Sequence, residues 1–163
     1  MSQKTDFKAK RCFLSAQQHL NFVPGKIFPQ LCPTREYDWI ETWKCELIQS
    51  ESGFAELDCI FTTHFPDDEK ETWVVDRFEP NELIEFVRTA ESRVIRHSIR
   101  LSNNNDGSTT LFWLQIITAL NENGNKYVEN CSNEEFRQEV KILEKMLGHF
   151  LETGEMLKTE NND

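Results

Sequence analysis

Between Arg93 and Ser102 the chain alternates with a period of two. Ile95, His97, Ile99 and Leu101 fall on one side of an extended backbone, and Arg96, Ser98 and Arg100 on the other. That is the pattern of a strand with one buried face. Shorter stretches around it follow the same rule. Trp43 to Ser50 is bounded by Glu51, Ser52 and Gly53, and Phe54 to Phe65 sets Leu57, Cys59 and Phe61 against Glu56, Asp58 and Ile60. Glu71 to Glu79 carries Trp73, Val74, Val75 and Phe78. Glu82 to Glu91 sets Ile84 and Phe86 against Glu85, with Leu83 and Val87 on the side of Glu85. Thr109 to Leu120 is apolar on both faces, as expected of a central strand. The breaks are turn chemistry: Pro66 to Glu69, then Pro80 and Asn81, then Asn103 to Gly107, which closes on Asp-Gly, a strong hairpin signal.

Strand and tight turn, six times over, leave no room for crossover helices, so the sheet is predicted to be an antiparallel meander. Phe7 to Ala16, with Phe7, Ala9, Arg11 and Phe13 on one parity, adds a further strand, for seven in all. A sheet of that size with natural twist curls.

The period changes to helical after Ser132. Ser132 and Glu135 form a capping box, in which each side chain reaches a free backbone N–H of the other residue. Phe136, Val140, Leu143, Leu147, Phe150 and Leu151 follow at spacings of three and four, with Ile142 and Met146 widening the stripe. Glu139, Lys141, Glu144, Lys145 and Glu152 make the opposite face, on which His149 borders, and Gly154 is a candidate terminator. A helix of about 20 residues extends roughly 30 Å, enough to cross a small sheet. Its apolar stripe needs a concave partner, and the curled meander is the one available. Gln17 to Thr42, rich in proline, is predicted to hold two short helices, around Pro24 to Leu31 and Thr34 to Ile40.

Composition refines this picture. The 163 residues point to a single domain over 1–163, with an ordered core from about 7 to 158 and a polar, disordered tail over 159–163. Twelve Phe, four Trp and two Tyr are enough to wall a cavity as well as fill a core. The net charge of −10 argues against a nucleic-acid partner and against anionic membranes, because both are recognised through Lys and Arg. No apolar run approaches a membrane span, and Met1 to Lys10 holds no apolar stretch. Five cysteines, none in a CxxC pair, point to free thiols in a reducing cytoplasm, with no metal site.

The order strand, two short helices, six-strand meander, long helix resembles the START/Bet v 1-like superfamily, also called SRPBCC or helix-grip. Cys32 to Ile40 (CPTREYDWI), Trp43, Cys45 to Leu47, Trp73 to Val75 and Thr118 to Leu120 resemble a bacterial or archaeal subgroup of unassigned function. The resemblance covers about Phe7 to Lys158 and implies an α+β fold: a curved seven-stranded antiparallel sheet around the C-terminal helix. The superfamily includes lipid carriers, polyketide cyclases and aromatases, plant hormone receptors and Hsp90 activators. It has no shared catalytic motif, so no catalytic residue is assigned.

Candidate cavity-lining residues are Tyr37, Trp39, Phe61, Trp73, Arg77, Phe86, His97, Trp113, Leu143, Met146, Leu147 and Phe150. Tyr37 and Trp39 belong to a charged, aromatic segment that either roofs the cavity mouth or anchors on the sheet. Trp73 and Trp113 face inward, offering an indole N–H to a ligand, or outward, marking an interface. Arg77 shares its parity with Trp73 and Val75, and if buried it needs a carboxylate from the protein or a ligand. His97 sits on an apolar parity, either as a core residue with a hydrogen-bond partner or as a ligand or proton-transfer group. Met146, with its adaptable thioether, suits variable contents. The expected function is binding of a small hydrophobic or amphipathic molecule in a cavity between the curved sheet and the C-terminal helix, by a monomer or weak homodimer and without a cofactor. The alternatives are a polyketide cyclase/dehydratase-like enzyme using His97, Arg77 or Tyr37, and an Hsp90-activator-like protein-interaction module.

Overall fold

The computed structural model describes residues 6–159. Seven strands form one antiparallel sheet in the order β1-β7-β6-β5-β4-β3-β2. They are β1 (Arg11–Leu20), β2 (Glu46–Gln49), β3 (Ile60–Thr63), β4 (Glu71–Glu79), β5 (Leu83–Thr89), β6 (Arg93–Asn103) and β7 (Thr109–Ala119). The helices are α1 (Pro24–Ile27), α2 (Glu122–Asn130) and α3 (Asn133–Thr153), the last lying alongside β1. The meander, its hairpins and the long C-terminal helix are as the patterning predicts. β6 buries Ile95, His97, Ile99 and Leu101 as its alternation requires. β7 is central, between β1 and β6, and its tight turn with β6 passes through Asn105 and Gly107, both at positive φ.

At the start of α3 the Ser132 hydroxyl accepts from the Glu135 N–H, and the helix ends where Gly154 turns left-handed at φ 74°. Phe136, Val140 and Leu147 are buried against the sheet, and Leu143, Met146, Phe150 and Leu151 are partly buried. Ile142 does not widen the stripe: it is exposed, because it falls on the flank of α3 that faces away from the sheet.

The first strand differs from expectation. It begins at Arg11, and its inward parity is Leu14, Ala16, Gln18 and Leu20, while Phe13 is 65% exposed. The run from Phe7 to Phe13 reads as a strand face, but Gln18 is what hides the true one. Its side-chain amide is buried because it donates to the Val140 carbonyl inside α3, at 2.7 Å. Two outward N–H groups of this edge strand are also satisfied by α3: Ser15 donates to Asn133 Oδ1 and His19 to Glu144 Oε2, at 2.9 and 2.8 Å.

Three further differences have local causes. The predicted helix over Thr34 to Ile40 is only a short 3-10 turn at Glu36–Asp38, where burial of Trp39 ends the regular winding. The strand expected from Phe54 starts only at Ile60, after Asp58 turns left-handed at φ 66°; this leaves Leu57 exposed. Helix α2 is unanticipated, in a segment to which the patterning assigns no element. The Asn121 side chain caps it by accepting from the Gly124 N–H. Asn125 is buried, donating to the Lys8 carbonyl and accepting from the Lys10 N–H. Of the predicted tail, Thr159 donates from its N–H to Glu41, and residues 160–163 lie outside the described residues.

Among the described residues, no helix is long and apolar enough to cross a membrane, and no group of three or more His, Cys, Asp or Glu is placed to hold a metal ion. All five cysteines are free thiols.

Candidate functional site

A cavity of about 290 Å³ lies between the sheet, the 36–43 segment and α3. Aromatic rings build its walls. Phe61 on β3 and Trp73 on β4 stack at 5.1 Å between centroids, and Phe86 on β5 meets both edge-on. Trp43 stands edge-on to Trp73, and Trp113 on β7 meets His97 on β6 at 5.4 Å. Helix α3 contributes Phe136, Val140 and Leu143. An open surface trough of about 860 Å³ also runs between β1, β7 and the polar side of α3, but its lining includes Glu134, Arg137 and Lys141 and gives it no enclosed wall.

Seven of the twelve sequence candidates line the cavity: Trp39, Phe61, Trp73, Phe86, His97, Trp113 and Leu143. The other five stand elsewhere. Tyr37 is exposed, and its hydroxyl donates to the Cys45 carbonyl and accepts from the Cys45 N–H. Trp39 rather than Tyr37 anchors this segment, with its indole N–H donating to the Gln30 carbonyl at 3.0 Å. Arg77 is displaced by a bulge at Asp76, where β4 gains one residue against β5 and the facing parity changes. Beyond the bulge Phe78 turns inward to pack on Phe28, while Arg77 is exposed and pairs with Glu79. Leu147 is buried beneath α3 in the core, and Met146 and Phe150 are half-buried outside the cavity lining.

Four polar residues of the lining were not singled out from the sequence: Arg88, Gln115, Glu36 and Glu139. The signal for two of them was present. Arg88 shares the parity of Ile84 and Phe86, and Gln115 that of Leu111 and Trp113. Arg88 lies over the Trp73 ring at 4.0 Å and donates to buried Glu71 at 2.5 Å. Glu71 also faces Arg93 at 3.5 Å, and Arg93 in turn meets Asp68 and Glu69 and lies over Tyr127. An ionic chain thus runs from the β3–β4 turn to the cavity. At its end Gln115 Nε2 and Arg88 Nη1 stand 2.9 and 3.4 Å from His97 Nδ1. Burial, aided by the positive charge of Arg88, pushes His97 down to about 3.

Glu36 shows the opposite effect. It retains some accessible surface, but that surface faces the apolar cavity, and desolvation pushes the carboxyl up to about 8. Between 4.5, its value in the open chain, and about 8 the folded protein holds a proton that the unfolded chain has lost. The stability contributed by this site is therefore full below 4.5 and is lost as the pH rises through about 8. Glu36→Gln is expected to match the parent melting temperature at low pH and exceed it by several degrees in mildly alkaline buffer. Equal melting temperatures in alkaline buffer would show that the carboxyl is not desolvated. His97 acts at the other end of the scale: its contribution is lost as the pH falls from 6.5 through about 3. Glu139, at the mouth, is also raised by burial and by its neighbour Glu135.

No protein-family model matches the sequence, and no curated protein matches it. Solved structures do. A Thalictrum norcoclaurine synthase point mutant, in complex with a transition state analogue, aligns with a TM-score of 0.64 at 11% identity, over 87% of this chain and 97% of that one. Ara h 8.0201 aligns at 0.60 and 10% identity, over 88% and 99%. CalU16 from Micromonospora echinospora aligns at 0.56 and 13% identity, over 91% and 88%. At such identities the likeness is one of architecture: sheet, connecting segment and gripping helix correspond over nearly the whole length. The chain has the helix-grip fold that these structures share, a curved seven-stranded antiparallel sheet around a long C-terminal helix.

Proposed function

We propose that the protein binds a small hydrophobic or amphipathic molecule in the cavity between the sheet and α3. One observation carries this reading: an aromatic-walled space of about 290 Å³ lies within the fold, with Arg88, His97 and Gln115 gathered at one end of it. Ligand sites are concave, mostly apolar and oriented by a few polar groups. An apolar cavity of roughly 150 Å³ takes up benzene, so this one suits a ligand of about two fused rings.

A second reading, a cyclase- or dehydratase-like enzyme, draws support from the convergence of Arg88, His97 and Gln115 on one another. Binding is the reading favoured here because His97 is held neutral and its Nδ1 is already engaged, which leaves no free base at that end.

The test is titration with naphthalene, followed by quenching of tryptophan fluorescence, which Trp43, Trp73 and Trp113 in the wall would report. The parent protein is expected to bind saturably. Leu143→Trp, which fills the cavity from half-buried Leu143 on α3, is expected to abolish the response. Absence of binding by the parent, or equal binding by the filled variant, overturns the reading.

A further inference from the structure

We infer that the polar end of the cavity is a seat for a neutral carbonyl oxygen, so that the ligand is an aryl ketone-like molecule whose oxygen accepts from the Nε2–H of His97. This rests on the cavity being a ligand site, and adds what kind of ligand it selects.

The argument begins with the tautomer. Guanidinium is donor-only, so wherever Arg88 Nη1 addresses His97 Nδ1, that nitrogen must present its lone pair. Gln115 then turns its NH₂ to the same atom, at 2.9 Å. With Nδ1 an acceptor and the ring neutral, the proton sits on Nε2. Among the described residues Nε2 has no partner, and it is not among the enclosed atoms. The ring is held by Trp73, Phe86 and Trp113, at 5.9, 5.8 and 5.4 Å between centroids, so the free N–H is fixed in direction.

The neighbouring indoles leave this role to His97: the Trp113 N–H is enclosed by the protein, and the Trp73 N–H is spent on Thr63 Oγ1 at 2.9 Å. A ligand acceptor placed against His97 pairs its Nε2–H, which a purely apolar ligand leaves unpaired.

Charge then decides between a ketone and a carboxylate. Arg88 is the cation nearest the cavity end, and it is already paired with Glu71. Across the whole chain of contacts Arg88 and Arg93 face Asp68, Glu69 and Glu71, three carboxylates for two guanidinium groups. An anionic ligand would meet no uncompensated positive charge there, and Glu139 stands at the mouth.

The experiment compares 2-acetylnaphthalene, naphthalene and 2-naphthoate by isothermal titration calorimetry on the intact protein. The ketone is expected to bind about tenfold more tightly than the hydrocarbon, the worth of one net hydrogen bond at the upper end of its range. The carboxylate is expected to bind most weakly. In His97→Phe the ratio of ketone to hydrocarbon affinity falls to about one. Should that variant not fold, proton NMR of the parent protein suffices: the His97 Nε2–H resonance moves downfield with the ketone and not with the hydrocarbon. Equal binding of ketone and hydrocarbon without that shift overturns this inference and leaves the cavity reading standing. Tightest binding of the carboxylate also overturns it, by marking an anion seat. If none of the three binds, the cavity reading fails and takes this one with it.

Discussion

Glu71→Leu is expected to destabilise the protein by about 3–5 kcal/mol, the usual consequence of removing one partner from a buried ion pair. Glu71 is 2% exposed and stands between Arg88 and Arg93. Arg93 keeps Asp68 and Glu69, but Arg88 loses the one carboxylate it pairs with among the described residues, while its side chain remains 15% exposed beneath the cavity. Against a total stability of roughly 5–15 kcal/mol, the melting temperature should fall by about ten degrees or more. The double variant Glu71→Leu, Arg88→Leu is expected to recover most of the loss, because two apolar side chains leave no charge unpaired. Differential scanning calorimetry of the two variants decides the matter. A single variant as stable as the parent would mean that Arg88 reaches water in the folded protein.

Gly124→Ala should be almost as damaging, against the ordinary preference of helices for alanine. In α2 a β-carbon at Gly124 would stand 2.0 Å from the Ser92 carbonyl oxygen and 3.0 Å from Ala119 Cα. Both obstacles are backbone, and the Ser92 carbonyl already accepts from the Leu120 N–H at 2.7 Å. The helix must therefore shift off β7, stretching the bonds by which Asn125 holds Lys8 and Lys10. The expected cost is about 3 kcal/mol, the upper part of the range for overpacking. Gly148→Ala in α3 is the control. Its β-carbon would meet Leu20 Cδ2 at 3.5 Å, an ordinary contact, and alanine there should be neutral or stabilising by up to about 1 kcal/mol. Urea denaturation of both variants separates close approach from helix propensity: similar midpoints for the two would refute the steric account.

The fold was legible wherever local pattern and tertiary role agree. β6 alternates because one face is packed and the other wet, and α3 announces itself through Ser132 and Glu135 because its first turn must satisfy its own donors. Legibility failed where a polar side chain does the work of an apolar one. Gln18 occupies an inward position through a bond to Val140, Asn125 is buried through bonds to Lys8 and Lys10, and Gly124 is chosen for closeness rather than for flexibility. The cavity splits in the same way. Its aromatic wall follows from parity, as Phe61, Trp73, Phe86 and Trp113 illustrate. Arg88 and Gln115 obey the same parity, but their charge and polarity suggest solvent until the partners Glu71 and His97 are known. Arg77 is the converse: its parity points inward, and one inserted residue at Asp76 reverses it.

The contacts of α3 with β1 bear on what happens when copies of the protein meet. A strand at the margin of a sheet is a bonding valence, since its outward N–H and C=O groups can enrol another chain. Here the two margins are unequal. On β1, Asn133 and Glu144 already occupy the N–H groups of Ser15 and His19, while β2 is exposed throughout and pairs only with β3. Growth into a fibre needs a free valence at each end of the unit. The gripping helix thus also acts as a chain terminator on the β1 side: a strand joining there must first displace Asn133 and Glu144 from the Ser15 and His19 N–H groups.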